Sequence, residues 1–307
     1  MVTIRAAGSI LNANNDLFVN VLGGNVVLMA DAGSIGSLAN SLNVGTSPGG
    51  NINATASHGL VDLYGVAGLD FTIGSDLAGT STKLVAAVDG TIDGPVTAGT
   101  DIAMSAGGRL VLTASANVIS GAGQVLVSAD TMKMLNGSRI TASLGSVQVN
   151  TVNDALVTGI ISGSADINAI SINSGGHVLA GTDPARPFDL SAMTAGAGIK
   201  LVAGLGIGDE TEADNFAVDQ KGSPVGSANL ITAVANPLIL RTNAIDVTAT
   251  KGDADLVTVT TINSGSVVTG AGNINIVANQ DFTASNLSAT QGNVVVNSAG
   301  SITVGNV

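Results

Sequence analysis

The sequence has no cysteine, no tryptophan and a single tyrosine, Tyr64, and aromatic residues make up 2% of its 307 residues. The absence of cysteine excludes disulfide bonds and thiolate metal sites. A globular enzyme of this length usually carries more large rings in its core. These absences favour a fold whose interior is narrow and is filled by small side chains.

Charged residues are also scarce, at 10% of the chain, with ten Lys and Arg against twenty-two Asp and Glu. The formal net charge is −12. An acidic surface repels phosphate backbones, so we do not expect nucleic acid to be a partner.

Long apolar runs are missing, although the mean hydropathy is +0.47. No run approaches the roughly 18 to 20 apolar residues that a membrane-spanning helix requires. No window keeps apolar residues at helical spacing, because glycine interrupts almost every candidate. We therefore expect neither a membrane-spanning segment nor helices that connect strands.

The chain instead contains a repeat, which is clearest from residue 252 to the end. Gly252, Gly272 and Gly292 occupy one column when the sequence is written in steps of twenty residues. Apolar residues alternate with polar ones within each step, which predicts strands with one buried face. The columns that share this step are Ala254, Ile274 and Val294; Leu256, Ile276 and Val296; Ile262, Phe282 and Ile302; Ser264, Ala284 and Val304; and Val267, Leu287 and Val307.

Similar spacing recurs earlier in the chain. Leu110 lies twenty-two residues before Met132, Val147 lies twenty before Ile167, and the spacing is longer before about residue 65. Short strands without helices, together with 41 glycines, predict an all-β fold, a right-handed parallel β-helix with coils of about 20 to 23 residues.

An antiparallel sandwich or barrel is the alternative fold. It does not explain why outward residues twenty apart, such as Asn273 and Asn293, also share character. We therefore favour the β-helix, in which equivalent side chains of successive coils stack in ladders.

We interpret residues 1–307 as one β-helix segment that is excised from a longer protein. Coils are predicted in 1–180, coils interrupted by long loops in 181–236, and regular coils in 237–307. Proline and acidic residues without alternation predict loop excursions at 181–195 and 207–228. If the segment binds a partner, we expect these loops to do so, since loops on rigid scaffolds commonly carry recognition.

The acidic loop supplies the candidate metal ligands. Asp209, Glu210, Glu212 and Asp214 offer oxygen atoms of the kind that binds Ca²⁺ weakly. They lack the spacing of an EF-hand loop, and the calcium-binding nonapeptide of β-rolls is absent from the chain. A solvated loop is the favoured interpretation, with weakly bound calcium as the one cofactor considered. No catalytic or cofactor-binding residue is predicted.

Asp253 and Asp255 flank Ala254, so both are expected to point outward from one strand, about 6 to 7 Å apart. Two carboxylates at such a distance are compatible with acid–base chemistry on a sugar. One coil further on, the same positions hold Asn273 and Asn275. We interpret the pair as solvated outward charges.

His58 and His177 are the two histidines of the chain. A metal site or a catalytic triad would require them beside other ligands or beside a nucleophile and a base. Nothing in the sequence places them so, and turn or surface positions are expected for both.

Several units resemble the repeats of filamentous haemagglutinin-like exoproteins. They are Gly-Asn-Ile-Asn-Ile at 272–276, Gly-Asn-Val-Val-Val at 292–296 and Gly-Ser-Ile-Thr-Val at 300–304. A further stretch, 236–249, resembles a recurrent piece of giant bacterial surface proteins. The family consists of large β-helical adhesins that Gram-negative bacteria export by two-partner secretion. Its secretion domain, with Asn-Pro-Asn motifs, is not recognisable here, so the resemblance implies a fragment of a repeat region.

The resemblance implies a structural and adhesive rod, not an enzyme, that belongs to a secreted or surface-exposed protein of a Gram-negative bacterium. Its expected partner is a receptor or glycan on a host or neighbouring cell, reached through loops or a distal tip. Self-association through the end coils is a second expected contact. A polysaccharide-processing β-helix enzyme and a self-assembling filament or lattice subunit are the alternatives.

Overall fold

The fold is all-β in the computed structural model, which describes residues 1–14, 16, 18–180, 193–208 and 237–307. These residues contain strands and turns and no helix. Parallel strands stack as a β-solenoid of about 12 turns, which confirms the predicted parallel β-helix. The ladders of named strands are parallel, so the antiparallel sandwich or barrel is wrong. The chain separates into two compact units, Met1–Gln148 and Val149–Val307.

The first unit is built from short strands of three to seven residues. They are β1 (Val2–Ala6), β2 (Val21–Gly23), β3 (Val26–Ala30), β4 (Leu42–Thr46), β5 (Ile52–Ala56), β6 (Val61–Gly65), β7 (Thr72–Ala78), β8 (Thr82–Ala86), β9 (Gly90–Ile92), β10 (Pro95–Ala98), β11 (Ile102–Ala106), β12 (Arg109–Leu112), β13 (Asn117–Ser120), β14 (Val125–Ala129), β15 (Thr131–Met134) and β16 (Arg139–Ala142). Strand β17 (Val147–Thr151) spans the boundary between the units.

The coils of the first unit change from two ladders to three at β7. One ladder runs β2, β4, β6, β8, β11, β14. The other runs β1, β3, β5, β7 and then divides, because Thr72 and Ile73 pair with β9 while residues 76–78 pair with β10. Strand β9 continues to β12 and β15, and β10 continues to β13 and β16. The sequence did not predict this division, since the short strands on both sides of it have the same alternating pattern.

Two stacked columns form much of the core in this unit. The first is a column of large apolar side chains, each paired with its equivalent one coil on: Val26, Ile52, Ile73, Ile92, Leu112 and Met134. The second is a column of small residues: Ala30, Ala56, Ala78, Ala98, Ser120 and Ala142. Burying each large side chain contributes about 1.5 to 3 kcal/mol. The small column sets the width of the interior.

The second unit contains the remaining strands. They are β18 (Ala155–Val157), β19 (Ile160–Ser162), β20 (Ile170–Ser174), β21 (Val178–Ala180), β22 (Met193–Ala195), β23 (Gly198–Ala203), β24 (Leu238–Arg241), β25 (Ala244–Ala249), β26 (Ala254–Thr258), β27 (Ser264–Thr269), β28 (Ile274–Ala278), β29 (Phe282–Ala289), β30 (Val294–Ser298) and β31 (Ile302–Asn306). One ladder runs β20, β23, β25, β27, β29, β31, and another runs β19, β22, β24, β26, β28, β30.

The predicted twenty-residue repeat is confirmed from β25 onward. Ala254 pairs with Ile274, and Ile274 pairs with Val294. Val267 likewise pairs with Leu287 in the opposite ladder. The predicted longer coils at the start are also confirmed in the first unit, where register spacings of 24 and 26 residues separate β1, β3 and β5. One predicted repeat position is wrong: Ile167 lies outside the strands and is 65% exposed.

The predicted loop excursions lie largely outside the described residues, which omit 181–192 and 209–236. Two described parts of them belong to the ladders instead. Residues 193–195 form β22, and Ile207 is fully buried where it bridges Val178 and Ala254. The predicted loops were too wide there because three residues of alternation are too few to be recognised as a strand. The coil predicted between the loops is confirmed as β23.

Candidate functional site

Polar side chains at several turns connect one coil to the next. Asp253 Oδ1 accepts the backbone N–H of Asn273 at 2.6 Å, and Asn273 Oδ1 accepts that of Asn293 at 2.9 Å. We call this arrangement the Asx ladder. Further pairs of the same kind, an acceptor side chain and the N–H one coil on, are Asn25 and Asn51, Asp89 and Arg109, Asp101 and Gln124, and Asp281 and Ser301. The ladder satisfies backbone donors at the turns, where strand pairing ends.

Asp253 and Asp255 were the candidate acid–base pair. Asp255 is 6% exposed and accepts a hydrogen bond from Asn275 Nδ2 at 2.7 Å, so the interpretation of both carboxylates as solvated charges is wrong for Asp255. Asp253, which is half-buried, belongs to the Asx ladder. Both carboxylates accept hydrogen bonds from the coil above, which is a stacking role.

His177 lies in the turn between β20 and β21, which agrees with the predicted turn position, but it is buried there, with 2% of the residue exposed. Asp154 Oδ1 accepts the backbone N–H of His177 at 2.7 Å and lies 3.0 Å from His177 Nδ1. Hydrogen bonding to the His177 side chain is the largest cause that lowers the pKa of Asp154 below its usual range. His58 is exposed, as predicted, and its Nδ1 lies 3.0 Å from the backbone oxygen of Asp31.

Ser174 lies close to the Asp154–His177 pair, which raises the question of a catalytic triad. Its hydroxyl donates to the backbone oxygens of Asn153 and His177, at 2.5 and 3.0 Å. A triad requires the serine hydroxyl to be hydrogen-bonded to the imidazole. The group therefore holds two coils together, and it is not arranged for nucleophilic catalysis.

A second polar cluster, Ser41, Asp62 and Lys83, was missed by the sequence reasoning. Asp62 is fully buried and accepts a hydrogen bond from Ser41 Oγ at 2.6 Å. Lys83 Nζ lies 3.3 Å from the other Asp62 oxygen. Lys83 Nζ also lies 3.4 Å from Ser41 Oγ, so the three side chains form one hydrogen-bonded cluster that links neighbouring coils. The signal that could have found the ion pair is its spacing of one coil between Asp62 and Lys83.

Asp76 on β7 is the most unusual titratable group of the described residues. It points into the solenoid, is 2% exposed, and neither carboxylate oxygen has a hydrogen-bond partner. Burial raises the pKa of Asp76 from 3.8 to about 7, and the nearby Thr82 hydroxyl offsets this only partly. Thr82 Oγ1 is the polar atom that lowers the pKa of Asp76, and like both Asp76 oxygens it is buried without a hydrogen bond of good geometry. The group is therefore an unpaired acid in an apolar interior.

The predicted calcium ligands Asp209, Glu210, Glu212 and Asp214 lie outside the described residues. Within the described ranges, no three His, Asp or Glu side chains are grouped so that they could hold a metal ion. The same part of the chain contains no helix with the length and apolar character needed to cross a membrane.

The polar clusters described above hold successive coils or neighbouring loops in place. No family model, no curated protein and no solved structure matches the chain. The function must therefore be inferred from the residues and the fold alone.

Proposed function

We propose that the chain is a structural and adhesive rod segment of a large secreted or surface-exposed bacterial protein. The observation that carries the proposal is that candidate chemical groups, such as Asp253, Asp154 and Asp62, are bound to the next coil or to a neighbouring loop. A solenoid of this kind distributes its stability over nearest-neighbour coils and presents its sides to partners.

A large insertion in the second unit supports a role in attachment. Ile199 pairs directly with Ile245, 46 residues later, whereas Ile245 pairs with Gly265 only 20 residues later. A Cβ built on Gly208 would lie 3.1 Å from the backbone nitrogen of Leu238. The ends of segment 209–236 are therefore adjacent, and the segment is added to a coil stack that is continuous without it.

The proposed partner is a receptor or glycan on a host or neighbouring cell, and the proposed location is the surface or exterior of a Gram-negative bacterium. The resemblance of 272–276 and 292–296 to adhesin repeats supports both. Insertions on rigid scaffolds commonly carry recognition. Many weak contacts made by copies of one surface protein add to firm attachment.

The test is an attachment assay with a variant in which a Gly-Ser dipeptide replaces residues 209–236. Beads coated with the purified chain should bind target cells or a glycan array, and the variant should lose this binding while it keeps its circular dichroism spectrum. A matched surface control is Ile167→Ser, at an exposed site outside 209–236, which should bind as well as the parent chain. Equal binding by the deletion variant, or no binding by the parent, would contradict the proposal.

An enzymatic function would be shown by turnover. A screen of acidic and neutral polysaccharides with detection of reducing ends or unsaturated products should give no product. Turnover that Asp253→Ala abolishes would replace the adhesive proposal with the enzymatic one.

Self-assembly is a second candidate, supported by two partly exposed residues of the core columns on β30. Val294 and Val296 continue the buried columns of Ile274 and Ile276, yet both are only half-buried. Strand edges with unpaired backbone groups can pair with another chain. Analytical ultracentrifugation should show concentration-dependent oligomers, and Val296→Lys should reduce them; a strict monomer at high concentration would exclude this function.

A further inference from the structure

Strand β7 contains one extra residue relative to its neighbour β5. Ile73 pairs with Ile52, but the next partner of β5, Asn53, pairs with Ser75, so Gly74 is left out of the register. This arrangement is a β-bulge. A Cβ on Gly74 would lie 2.8 Å from Asn53 Oδ1, so glycine suits the bulged position.

The bulge reverses which side chains face inward for the rest of β7. Alternation from Ile73 would place Ser75 and Leu77 inside and Asp76 outside. With Gly74 inserted, Asp76 is inside and Leu77 is 44% exposed. The strand therefore buries an acid and exposes a leucine, the reverse of what hydrophobic burial favours.

No charged group faces Asp76 from the strands packed against it. Its partners in the ladder are Ala54 on β5 and Val96 on β10, and β9 contributes Gly90 and Ile92 to the interior. Charged residues do occur on β6 and β8, but they are Asp62 and Lys83, which alternate with the inward Val61, Leu63, Thr82 and Leu84 and bind each other on the opposite face. An ionised Asp76 would have no counterion in this interior.

Packing favours the bulged register when Asp76 is neutral. Ala78 then occupies the small-residue column between Ala56 and Ala98. Without the bulge, Leu77 would enter this column and overpack it. A different energetic cost therefore disfavours each register: burial of the Asp76 carboxyl group in the bulged register, and overpacking by Leu77 in the register without the bulge.

We propose that β7 is a two-register switch, in which the Gly74 bulge is kept while Asp76 carries a proton, and the strand slips by one residue when Asp76 ionises. The O–H bond of the carboxyl group breaks, the proton passes to water, and the carboxylate turns to the outer face. Leu77 then enters the interior, Ser75 becomes buried, and Ala78 moves to the turn. The pKa of Asp76 in the bulged register, about 7, is the upper limit for the midpoint of this change, with the bulged register favoured at lower pH and the slipped register at higher pH.

The chain has no cysteine, so single cysteines can report the register. Ser75→Cys lies on the outer face in the bulged register and Ala78→Cys is buried in it. Labelling rates with a thiol reagent are measured from pH 5.5 to 8.5 and are divided by those of Val88→Cys, an exposed reference. We expect the corrected rate to fall for Ser75→Cys and to rise for Ala78→Cys, each by about tenfold, as ionisation shifts the equilibrium.

The same measurements are made with Asp76→Asn added, which removes the ionisation and should leave both corrected rates constant with pH. A rise at both positions would indicate local unfolding and would overturn the slip. No change at either position, or a change that persists with Asp76→Asn, would also overturn it.

Hydrogen exchange of the unmodified chain tests the proposal without cysteine variants. Amides of 72–80 should change protection between pH 5.5 and 8.5, after correction for intrinsic exchange, and they should not do so in Asp76→Asn. Exchange that is equal at both pH values would contradict the switch.

Discussion

Two buried carboxyl groups, Asp76 and Asp154, respond to pH in opposite directions because their surroundings differ. Asp76 has no partner in an apolar interior, so its pKa is raised. Asp154 is held by His177, so its pKa is lowered. The first group favours the folded state when it is protonated, and the second favours it when it is ionised.

For Asp76, the free energy of unfolding should fall as pH rises from about 4 to 7. The folded chain binds a proton over this range that the unfolded chain, with a pKa near 3.8, has released. The loss amounts to at most about 4 kcal/mol for a shift of this size, and a change of register reduces it. Denaturant unfolding followed by circular dichroism should show this slope, and Asp76→Val, which matches its neighbours Ala54 and Val96, should abolish it.

A matched control for this slope is Asp166→Asn, at an exposed turn, which should leave the pH dependence between 4 and 7 as it is in the parent chain. A flat profile in the parent chain would show that Asp76 is ionised or hydrated in the folded state.

For Asp154, substitution by alanine should lower the free energy of unfolding by about 2 to 4 kcal/mol, because it removes the acceptor of a buried backbone N–H and the partner of a buried imidazole. In the parent chain, this contribution is present above the ordinary pKa of 3.8 and is lost as pH falls through the lower folded value. Thermal unfolding at pH 7 and pH 3 measures both effects. His58→Ala, at an exposed site, should change stability little at either pH; an equal loss there would contradict a specific role for the buried pair.

At the scale of the element, the Asx ladder makes each turn depend on the one below it. Asn273 is the central rung, because its N–H donates to Asp253 and its side-chain oxygen accepts from Asn293. Asn273 Nδ2 also lies 3.3 Å from both Asp253 carboxylate oxygens. The side-chain amide therefore supplies donors that a carboxylate in its place could not supply.

Asn273→Asp should destabilise the chain by about 1 kcal/mol, since it removes these donors and places a second negative charge beside Asp253. Salt should restore part of the loss, because the repulsion between two partly exposed charges is screened. The control is Asn293→Asp, whose neighbour below is neutral Asn273, and it should cost less. Thermal unfolding at low and high salt compares the two; equal costs would exclude the ladder as the cause.

How far the sequence predicts an element depends on whether its neighbours repeat. The columns through Ile274 and Val267 were predictable because identical spacing places like residues above one another. The bulge at Gly74 was not, because a single extra residue in a short strand leaves no periodic signal and yet decides whether Asp76 or Leu77 is buried. The contact between Asp154 and His177 was only partly predictable. The two residues are one coil apart, but the coil spacing there is 23 residues, not 20.

At the scale of the whole molecule, the coil stack of the second unit is continuous across segment 209–236. Strands β23 and β25 pair over six positions, although 46 residues separate them in sequence. Ile207 joins the ladder between Val178 and Ala254 immediately before the segment. The paired strands on either side therefore do not need the segment to define their register.

Replacement of 209–236 by Gly-Ser should accordingly preserve the fold. The backbone nitrogen of Leu238 lies close enough to Gly208 for so short a linker. A shorter connection also loses less conformational entropy when its ends are brought together on folding. We expect an unchanged far-ultraviolet spectrum and a melting temperature within about 2 to 4 °C of the parent, the shift that a change of 1 kcal/mol produces in a domain of this size. Insertion of a single glycine within β25, between Ile245 and Asp246, is the contrasting variant. It places Asp246 at the inward position of Val247, reverses the side chains that follow, and should disrupt the second unit. Loss of structure in the replacement variant, with a spectrum like that of the β25 insertion, would show that the coils require the segment for their stability.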